Sequence, residues 1–253
     1  MDGSPWEKKA QPRLKDNERV VIRGKVIKFI KKAYLTPPLG RIRSVIKYFA
    51  VPKGFLEDVV QDWRVVFHAG ANKLNDCVWA PPFSLPSTSS LLRILNSNSL
   101  QQDQDMGEMF LNFQLNPKIQ QFAAIDILPL EIPTTECEHR WLCWNRMLMG
   151  FRAPPYNAIK VYLIAEEIIR GDRHDQTNAF QFDHVRLNLP GTSKYNPTEG
   201  WVSKRRKDGS LASNFVCFFD DQRVTGEGKE RVAAAGHAIS MRESYLVGGT
   251  VGS

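Results

Sequence analysis

The stretch 214-NFVCFFDDQRVTG-226 places two adjacent acids, Asp220 and Asp221, directly after a run of apolar and aromatic residues. The apolar run predicts a buried strand, and an ionised carboxylate is costly to remove from water. A double acid at a strand end is usually a solvated turn, where aspartate side chains hydrogen-bond nearby backbone. The alternative is that the two carboxylates meet further acids at one edge of a sheet.

Around this stretch, strand and helix patterns alternate without an internal repeat. The segments VIKYFAVPK and DWRVVFHA predict a basic β-hairpin around the acids Glu57 and Asp58, with the first strand ending at Pro52. Three apolar runs follow from Asp105, in DMGEMFLNFQL, QQFAAIDILPL and RWLCWNRMLMG. Their composition and the turn-forming residues between them are typical of strands.

Two helices have recognisable starts. A short helix in SLLRIL follows Ser87 or Thr88, either of which suits an N-cap. A longer helix begins at Pro155, continues for fifteen residues without a breaker and ends at Arg170. The mixed periodicity of RVVIRGKVIKFIKKAYL fits a helix or a strand, and the polar, turn-rich residues 172–213 indicate an insertion.

These elements predict an α+β fold in which antiparallel strands are covered by helices on one face. In such a layer the start of DMGEMF and the end of NFVCFFDD meet at one edge, so we expect Asp105 to lie beside Asp220. Two or three converging carboxylates are stable there when divalent cations bind between them, and hard oxygen ligands suit Mg²⁺.

Composition and charge narrow the class of protein. A chain of 253 residues, 42% of them hydrophobic, can bury a core as one large domain or two small lobes. No apolar run reaches the roughly 18 residues of a membrane span and no secretory signal is evident, so we expect no membrane partner and an intracellular protein, cytoplasmic or nuclear. Residues 1–50 contain thirteen Lys or Arg and four acids. Such a basic segment either binds a phosphate backbone or is a solvated surface.

Several motifs resemble those of reverse transcriptases, which are RNA-directed DNA polymerases. DMGEMFLNFQL resembles their catalytic motif, in which an aspartate, here Asp105, precedes an aromatic residue, here Phe110, by five positions. FFDD resembles their aromatic-x-Asp-Asp motif. Between the two, LMGFRAPPYNA resembles their Gly-x-x-x-x-Pro segment, with Gly150 and Pro155 in the matching positions.

The upstream hairpin resembles the fingers region of the same enzymes. KYFAVPKG and DWRVVFHAGANKLND match it with Lys53, Arg64 and the pair Leu74 and Asn75. The five motifs occur in the family's order over residues 47–221, and retroelements with long terminal repeats, or a related type, are the most similar branch.

The resemblance implies a right-hand polymerase with fingers and an antiparallel palm sheet backed by helices. Residues 1–45 would be a basic N-terminal segment, 46–100 a fingers-like hairpin and connection, and 101–253 a palm-like catalytic region with an insertion at about 172–213. Only 32 residues follow Asp221, so we expect the thumb to be largely absent.

The resemblance also implies roles for individual residues. Asp105 and Asp220 would hold two Mg²⁺ ions, with Mn²⁺ as a possible substitute, and Asp221 would support that site. Lys53 and Arg64 would reach the β- and γ-phosphates of a dNTP. The other partners implied are an RNA or DNA template and its primer.

Three further residues carry implied contacts to the nucleotide. Phe110 would exclude a 2′-hydroxyl and so select deoxynucleotides. The segment from Gly150 to Pro155 would pass close to the sugar and the template, since glycine permits a close backbone approach. Met149 stands where many relatives have glutamine, which removes one polar contact.

Other interpretations remain beside this one. The chain could be a catalytically inactive nucleic-acid-binding remnant of such a polymerase, or a metal-dependent phosphodiesterase that uses the same carboxylates. CEHRWLC offers Cys137, His139 and Cys143 as zinc ligands, but it lacks paired C-x-x-C spacing. The oligomeric state is left open.

Overall fold

A computed structural model describes residues 11–56, 59–247 and 251–252 of the chain. The fold is α+β, because these residues form six α-helices together with several small antiparallel sheets. Within the same residues, none of the helices has both the length and the apolar character needed to cross a membrane.

The helices and strands alternate along the chain. The helices are α1 (Asp16–Lys31), α2 (Leu74–Cys77), α3 (Thr88–Leu92), α4 (Pro117–Gln120), α5 (Pro154–Arg170) and α6 (Lys229–Val247). The strands are β1 (Leu35–Thr36), β2 (Lys47–Leu56), β3 (Val59–His68), β4 (Leu100–Met106), β5 (Ala124–Asp126), β6 (Trp141–Trp144), β7 (His184–Leu187), β8 (Val202–Arg205), β9 (Asn214–Phe218), β10 (Asp221–Gly226) and β11 (Val251–Gly252).

The chain divides into two compact units. The first combines Met1–Pro81 with Phe110–Pro155, and the second combines Pro82–Met109 with Tyr156–Ser253. These units do not have the same boundaries as the regions 1–45, 46–100 and 101–253 that were predicted from the sequence. Residues 110–155 belong to the unit that contains the β2–β3 hairpin. The assignment of those regions to polymerase subdomains stays a prediction.

The first unit contains the hairpin expected from the sequence. Its first strand does not end at Pro52, as expected, but continues to Leu56, and Pro52 is paired with Trp63. Proline lacks an amide hydrogen, which a strand needs only on the side that faces a neighbour. In the described residues this sheet has two strands, so proline's missing donor can lie on the open side.

The segment RVVIRGKVIKFIKKAYL, whose periodicity fits a helix or a strand, lies mostly in helix α1. Ile22 and Val26, one helical turn apart, are fully buried, while most of the other side chains are charged or partly exposed. They join a core that surrounds Trp144, whose ring packs edge-on against Phe67 with the centroids 4.9 Å apart. The apolar stripe of α1 is therefore too narrow for its period to be distinctive.

The second unit is built on a four-stranded antiparallel sheet with the strand order β11-β4-β10-β9. Helices α5 and α6 contribute Ile169 and Ile239 to a core shared with Phe215 of β9 and Val224 of β10. The prediction of α5 is confirmed, because this helix ends at Arg170 and begins one residue before Pro155. Helix α6 was not anticipated from the sequence.

The position of β4 corrects the sequence-based prediction. A strand was expected in DMGEMFLNFQL, but β4 covers Leu100–Met106, and Met109–Asn112 forms a 3₁₀-helix. Most side chains of β4 are polar and face polar residues of β10 across the ladder. Both strands therefore lack the apolar alternation by which a half-buried strand is recognised.

The turn-rich residues 172–213 contain the small β7–β8 hairpin. The buried Asn188 organises the loop that joins its strands, since its amide donates to the carbonyl oxygens of Asn196 (2.8 Å) and Glu199 (3.0 Å). The start of α3 is confirmed as well, because the Ser87 hydroxyl accepts a hydrogen bond from the Ser90 amide.

Candidate functional site

The double acid lies at a tight β-hairpin. Phe218 and Asp221 are the last paired residues of β9 and β10, and Phe219 and Asp220 form the two-residue turn between them. Phe219 has a φ of 57°, in the left-handed region. For a residue with a side chain this conformation costs about 1–2 kcal/mol. The turn therefore stores backbone strain beside the two carboxylates.

The neighbouring strand brings a third acid to this turn. Asp105 of β4 is directly opposite Asp221 of β10, and the Met106 amide donates to the Asp220 carbonyl oxygen at 2.8 Å. The structure thus brings Asp105, Asp220 and Asp221 together, and we call these three residues the carboxylate cluster. Asp221, rather than Asp220, is the cross-strand partner of Asp105.

The charges of the cluster are not balanced. Partial burial raises the pKa of Asp220, and the negative charges of Asp221 and Asp105 raise it further. Asp105 and Asp221 are exposed, and like charges that face each other across a ladder destabilise it. A cation bound at the cluster would remove this repulsion.

One rung further along the ladder the charges are complementary. Arg223 of β10 is opposite Asp103 of β4, and its guanidinium donates two hydrogen bonds to that carboxylate at 2.6 and 2.8 Å. These bonds lower the pKa of Asp103. The same sheet face therefore carries a paired acid next to the unpaired acids of the carboxylate cluster.

The donor set of the cluster fits a hard divalent cation in its chemistry. Mg²⁺ is commonly held by one or two carboxylates and completes its shell with water and substrate phosphates. In the described part of the chain, no three His, Cys, Asp or Glu side chains are already arranged as a metal-ligand set. Asp105, Asp220 and Asp221 are the residues that could hold such an ion.

A cavity of about 490 Å³ opens beside the cluster, on the sheet face that carries Asp221 and Arg223. Leu91 and Leu95 supply part of its apolar lining, and Asp103 is among its polar residues. Its volume lies in the range of small-molecule binding sites.

The remaining predicted site residues belong to the first unit. Lys53 and Arg64 lie on one face of the β2–β3 hairpin, because Asp62 is the cross-strand partner of Lys53 and precedes Arg64 by two positions. Both cations are exposed, and the Lys53 ammonium lies 3.9 Å from the Asp62 carboxylate. Phe110 lies half-buried in the 3₁₀-helix that follows β4.

Gly150 has a local structural reason to be glycine. Its φ is 105°, and an added Cβ would lie 2.4 Å from the Phe67 carbonyl oxygen. Asn75 holds this loop on both sides, since its amide donates to the Gly150 carbonyl and its oxygen accepts from the Arg152 amide, both at 2.9 Å. Pro155 lies in the first turn of α5.

Sequence reasoning missed Asp103, Arg223 and a buried acid on α6, Glu243. The sequence DQRVTG carries no apolar alternation that would have indicated β10 and the position of Arg223, and the alternation is seen only in the burial of its residues. Glu243 continues the apolar stripe of Val232, Ala235 and Ile239 at helical spacing, which was a signal for a buried carboxyl. In comparisons with models of protein families and with curated proteins, nothing matched this sequence.

Proposed function

We propose that this chain is the fingers and palm portion of a reverse transcriptase, an RNA-directed DNA polymerase of a retroelement. The observation that carries the proposal is the cross-strand pair of Asp105 and Asp221, with Asp220 in the adjoining hairpin turn. The motif order in the sequence supports it. In this proposal the second unit contributes the catalytic part of the palm.

The carboxylate cluster would hold the metal ions. Asp105 and Asp220 would be the principal ligands of two Mg²⁺ ions, and Asp221 would support them. When bound, Mg²⁺ or Mn²⁺ would lower the pKa of the primer 3′-hydroxyl and neutralise charge on the triphosphate. The raised pKa of Asp220 supports this role, since burial raises it first and the negative charges of Asp221 and Asp105 raise it further.

The first unit would recognise the nucleotide. Lys53 and Arg64 would bind the β- and γ-phosphates of the dNTP, and their position on one face of the hairpin supports a joint role. Phe110 would exclude a 2′-hydroxyl. The backbone from Gly150 to Pro155 would lie along the sugar and the template strand.

Primer extension tests the proposal. A labelled DNA primer on an RNA template is incubated with the four dNTPs and Mg²⁺ or Mn²⁺, and the wild type is compared with Asp220→Asn. We expect extension by the wild type and a loss of at least 100-fold in the variant, because removing a metal ligand removes the ions that activate the reaction.

Asp103→Asn is the matched control. It makes the same chemical change on the same sheet face, but Asp103 is paired with Arg223 and has no role in the proposed chemistry. It should retain extension. If the wild type and both variants bind the duplex but none of them extends the primer, the result would contradict the polymerase function. It would favour the nucleic-acid-binding remnant, which the basic N-terminal segment supports.

A further inference from the structure

Behind the carboxylate cluster, the second unit contains a buried carboxyl. Glu243 of α6 has none of its surface exposed. Its Oε1 accepts hydrogen bonds from the Tyr162 hydroxyl of α5 and from the Gln222 amide of β10. Its Oε2 is buried and has no hydrogen-bond partner among the described residues. A carboxylate in this environment would leave half of its charge unsatisfied.

Two glutamines on the strands beneath α6 have the same deficit of donors. Gln104 and Gln222 face each other across the β4–β10 ladder, and both side chains are buried. The Gln104 amide donates to the Gly236 carbonyl (3.0 Å) and the Ser240 hydroxyl (3.2 Å) of α6. The side-chain oxygens of both glutamines are buried, and no residue in the described part of the chain donates to them. Three acceptor oxygens in this layer, the third being Glu243 Oε2, therefore lack a donor.

A proton on Glu243 would reduce this imbalance. A protonated carboxyl group is both a donor and an acceptor, so Oε2 becomes a donor in a layer that has excess acceptors. Burial acts in the same direction, because it raises the pKa of Glu243. The hydrogen bonds from Tyr162 and Gln222 oppose this shift but are the smaller influence.

No described cation compensates a charge on Glu243. The titratable groups that face it are Tyr162 from α5 and Cys217 from β9, both acids. From β10 it meets Gln222, while Gln104 of β4 donates to Gly236 and Ser240 of α6. Arg242, which directly precedes Glu243 on α6, instead donates from its guanidinium to the Ile169 carbonyl oxygen. An ionised Glu243 would be a buried, unpaired charge.

Glu243 is connected to both strands of the hairpin that carries Asp220 and Asp221. On β10 the connection is direct, because Gln222 adjoins Asp221. On β9 it passes through Tyr162, which lies near enough to Cys217 to influence the pKa of its thiol. The Cys217 thiol in turn donates to the carbonyl oxygen of Phe219 at 2.8 Å, within the strained turn.

We propose that Glu243 is protonated in the folded protein and acts as a positioning residue that holds the Phe219–Asp220 turn in place. The positioning role rests on the proposed function, because that function makes the turn a metal site. The protonation of Glu243 does not depend on it. Glu243 touches neither the metal nor the substrate in this scheme. It acts through Tyr162 and Gln222.

The first experiment measures protonation by stability alone. Chemical unfolding of the wild type and of Glu243→Gln is compared from pH 4 to pH 9 in EDTA. Glutamine has the shape of the protonated acid and supplies the same donor, so its stability should not depend on this proton. Other titrating groups are common to both proteins and cancel in the ratio of their unfolding constants.

The sign follows from the raised pKa. Below about pH 4.3, the ordinary value for glutamate, the acid is neutral in both folded and unfolded chains and the ratio is constant. As the pH rises, the unfolded chain loses the proton first, so the wild type loses stability relative to Glu243→Gln by up to tenfold per pH unit until the folded pKa is reached. A ratio that does not change with pH refutes the protonation.

The second experiment tests positioning. We expect Glu243→Ala to weaken Mn²⁺ binding at the carboxylate cluster and to lower kcat for primer extension about tenfold with little change in KM for the dNTP. Glu243→Gln should restore both. If the folded Glu243→Ala protein binds Mn²⁺ as the wild type does, Glu243 has no positioning role. If Glu243→Ala does not fold, Tyr162→Phe replaces it in the same comparison.

The two experiments separate the two proposals. The unfolding ratio involves no metal, primer or nucleotide, so it can succeed even if the chain has no polymerase activity. Mn²⁺ binding requires only the carboxylate cluster. A protein that binds Mn²⁺, shows the pH-dependent ratio and extends no primer would retain the inference and overturn the proposed function.

Discussion

The carboxylate cluster predicts that replacing one of its acids stabilises the metal-free protein. The perturbation is Asp220→Asn, which keeps the size of the side chain and removes its charge. Asp220 is half-buried, and its pKa is raised by burial and by its two acidic neighbours. The charged form is therefore less favourable in the folded chain than in the unfolded one.

The magnitude follows from the two acids near Asp220. Asp221 is its neighbour in sequence, and the Met106 amide next to Asp105 donates to the Asp220 carbonyl oxygen, so we take the separation of the charges to be on the order of 6 Å. Two unit charges at that distance repel by about 0.7 kcal/mol in water and about 2.8 kcal/mol at a partly buried surface site. Because Asp105 and Asp221 are exposed and salt screens them, we expect Asp220→Asn to gain about 1 kcal/mol.

The assay is thermal or chemical unfolding in EDTA at low ionic strength and pH 7. A gain of about 1 kcal/mol corresponds to a rise in Tm of about 2–4 °C for a chain of this size. The pKa of Asp220 is raised in the folded state, so the difference should vanish below about pH 3.9, where aspartate is neutral in the unfolded chain, and should grow as the pH rises.

Asp103→Asn is again the matched control and should change stability in the opposite direction. Asp103 is ion-paired with Arg223, so its removal should cost up to about 1 kcal/mol. Saturating Mg²⁺ should stabilise the wild type by more than it stabilises Asp220→Asn, since a ligand stabilises the state that binds it. A less stable Asp220→Asn protein in EDTA would refute this account of the cluster.

Three other predictions concern single residues away from the cluster. Gly150→Ala should lose about 2–4 kcal/mol in chemical unfolding, because its φ is 105° and the new Cβ would lie 2.4 Å from the Phe67 carbonyl oxygen; a loss below 1 kcal/mol would contradict this. Tyr48→Phe should lose about 1–2 kcal/mol, since the buried hydroxyl donates to the Asp126 carbonyl at 2.6 Å, and an unchanged unfolding midpoint would show that this bond contributes nothing. Burial lowers the pKa of Lys204 to about 8, so the wild type should gain stability between pH 8 and about 10.4, and Lys204→Met should lack this gain.

Local signals account for the parts of the fold that were predicted from the sequence. The β2–β3 hairpin and α5 have strong local patterns, and the Ser87 cap marks α3 by its own chemistry. The segment of α1 was ambiguous because only a narrow stripe, including Ile22 and Val26, reaches the core. Strands β4 and β10 were misjudged or missed because their pairing residues are polar, and polar composition is typical of loops as well as of solvated sheet faces.

The candidate site was predicted in part. Convergence of Asp105 with the double acid follows from antiparallel strand order, but register is decided by the whole sheet, so the pairing with Asp221 rather than Asp220 was not predictable. Glu243 is more than 130 residues from Asp105 in sequence. Its neutral partners, Tyr162 and Gln222, come together with it only when α5, α6 and the sheet pack, so the sequence alone does not reveal them.

The residues at the hairpin turn are not those that stability alone favours. Asparagine or glycine at position 219 would adopt the left-handed conformation more easily than Phe219 does. Asparagine at position 220 would remove the repulsion with Asp105 and Asp221. Each feature costs about 1 kcal/mol, against a total stability of about 5–15 kcal/mol for a typical protein. Strain and unbalanced charge at the same two residues fit the proposed cation site, where an ion would offset the charge and a fixed turn would position its ligands.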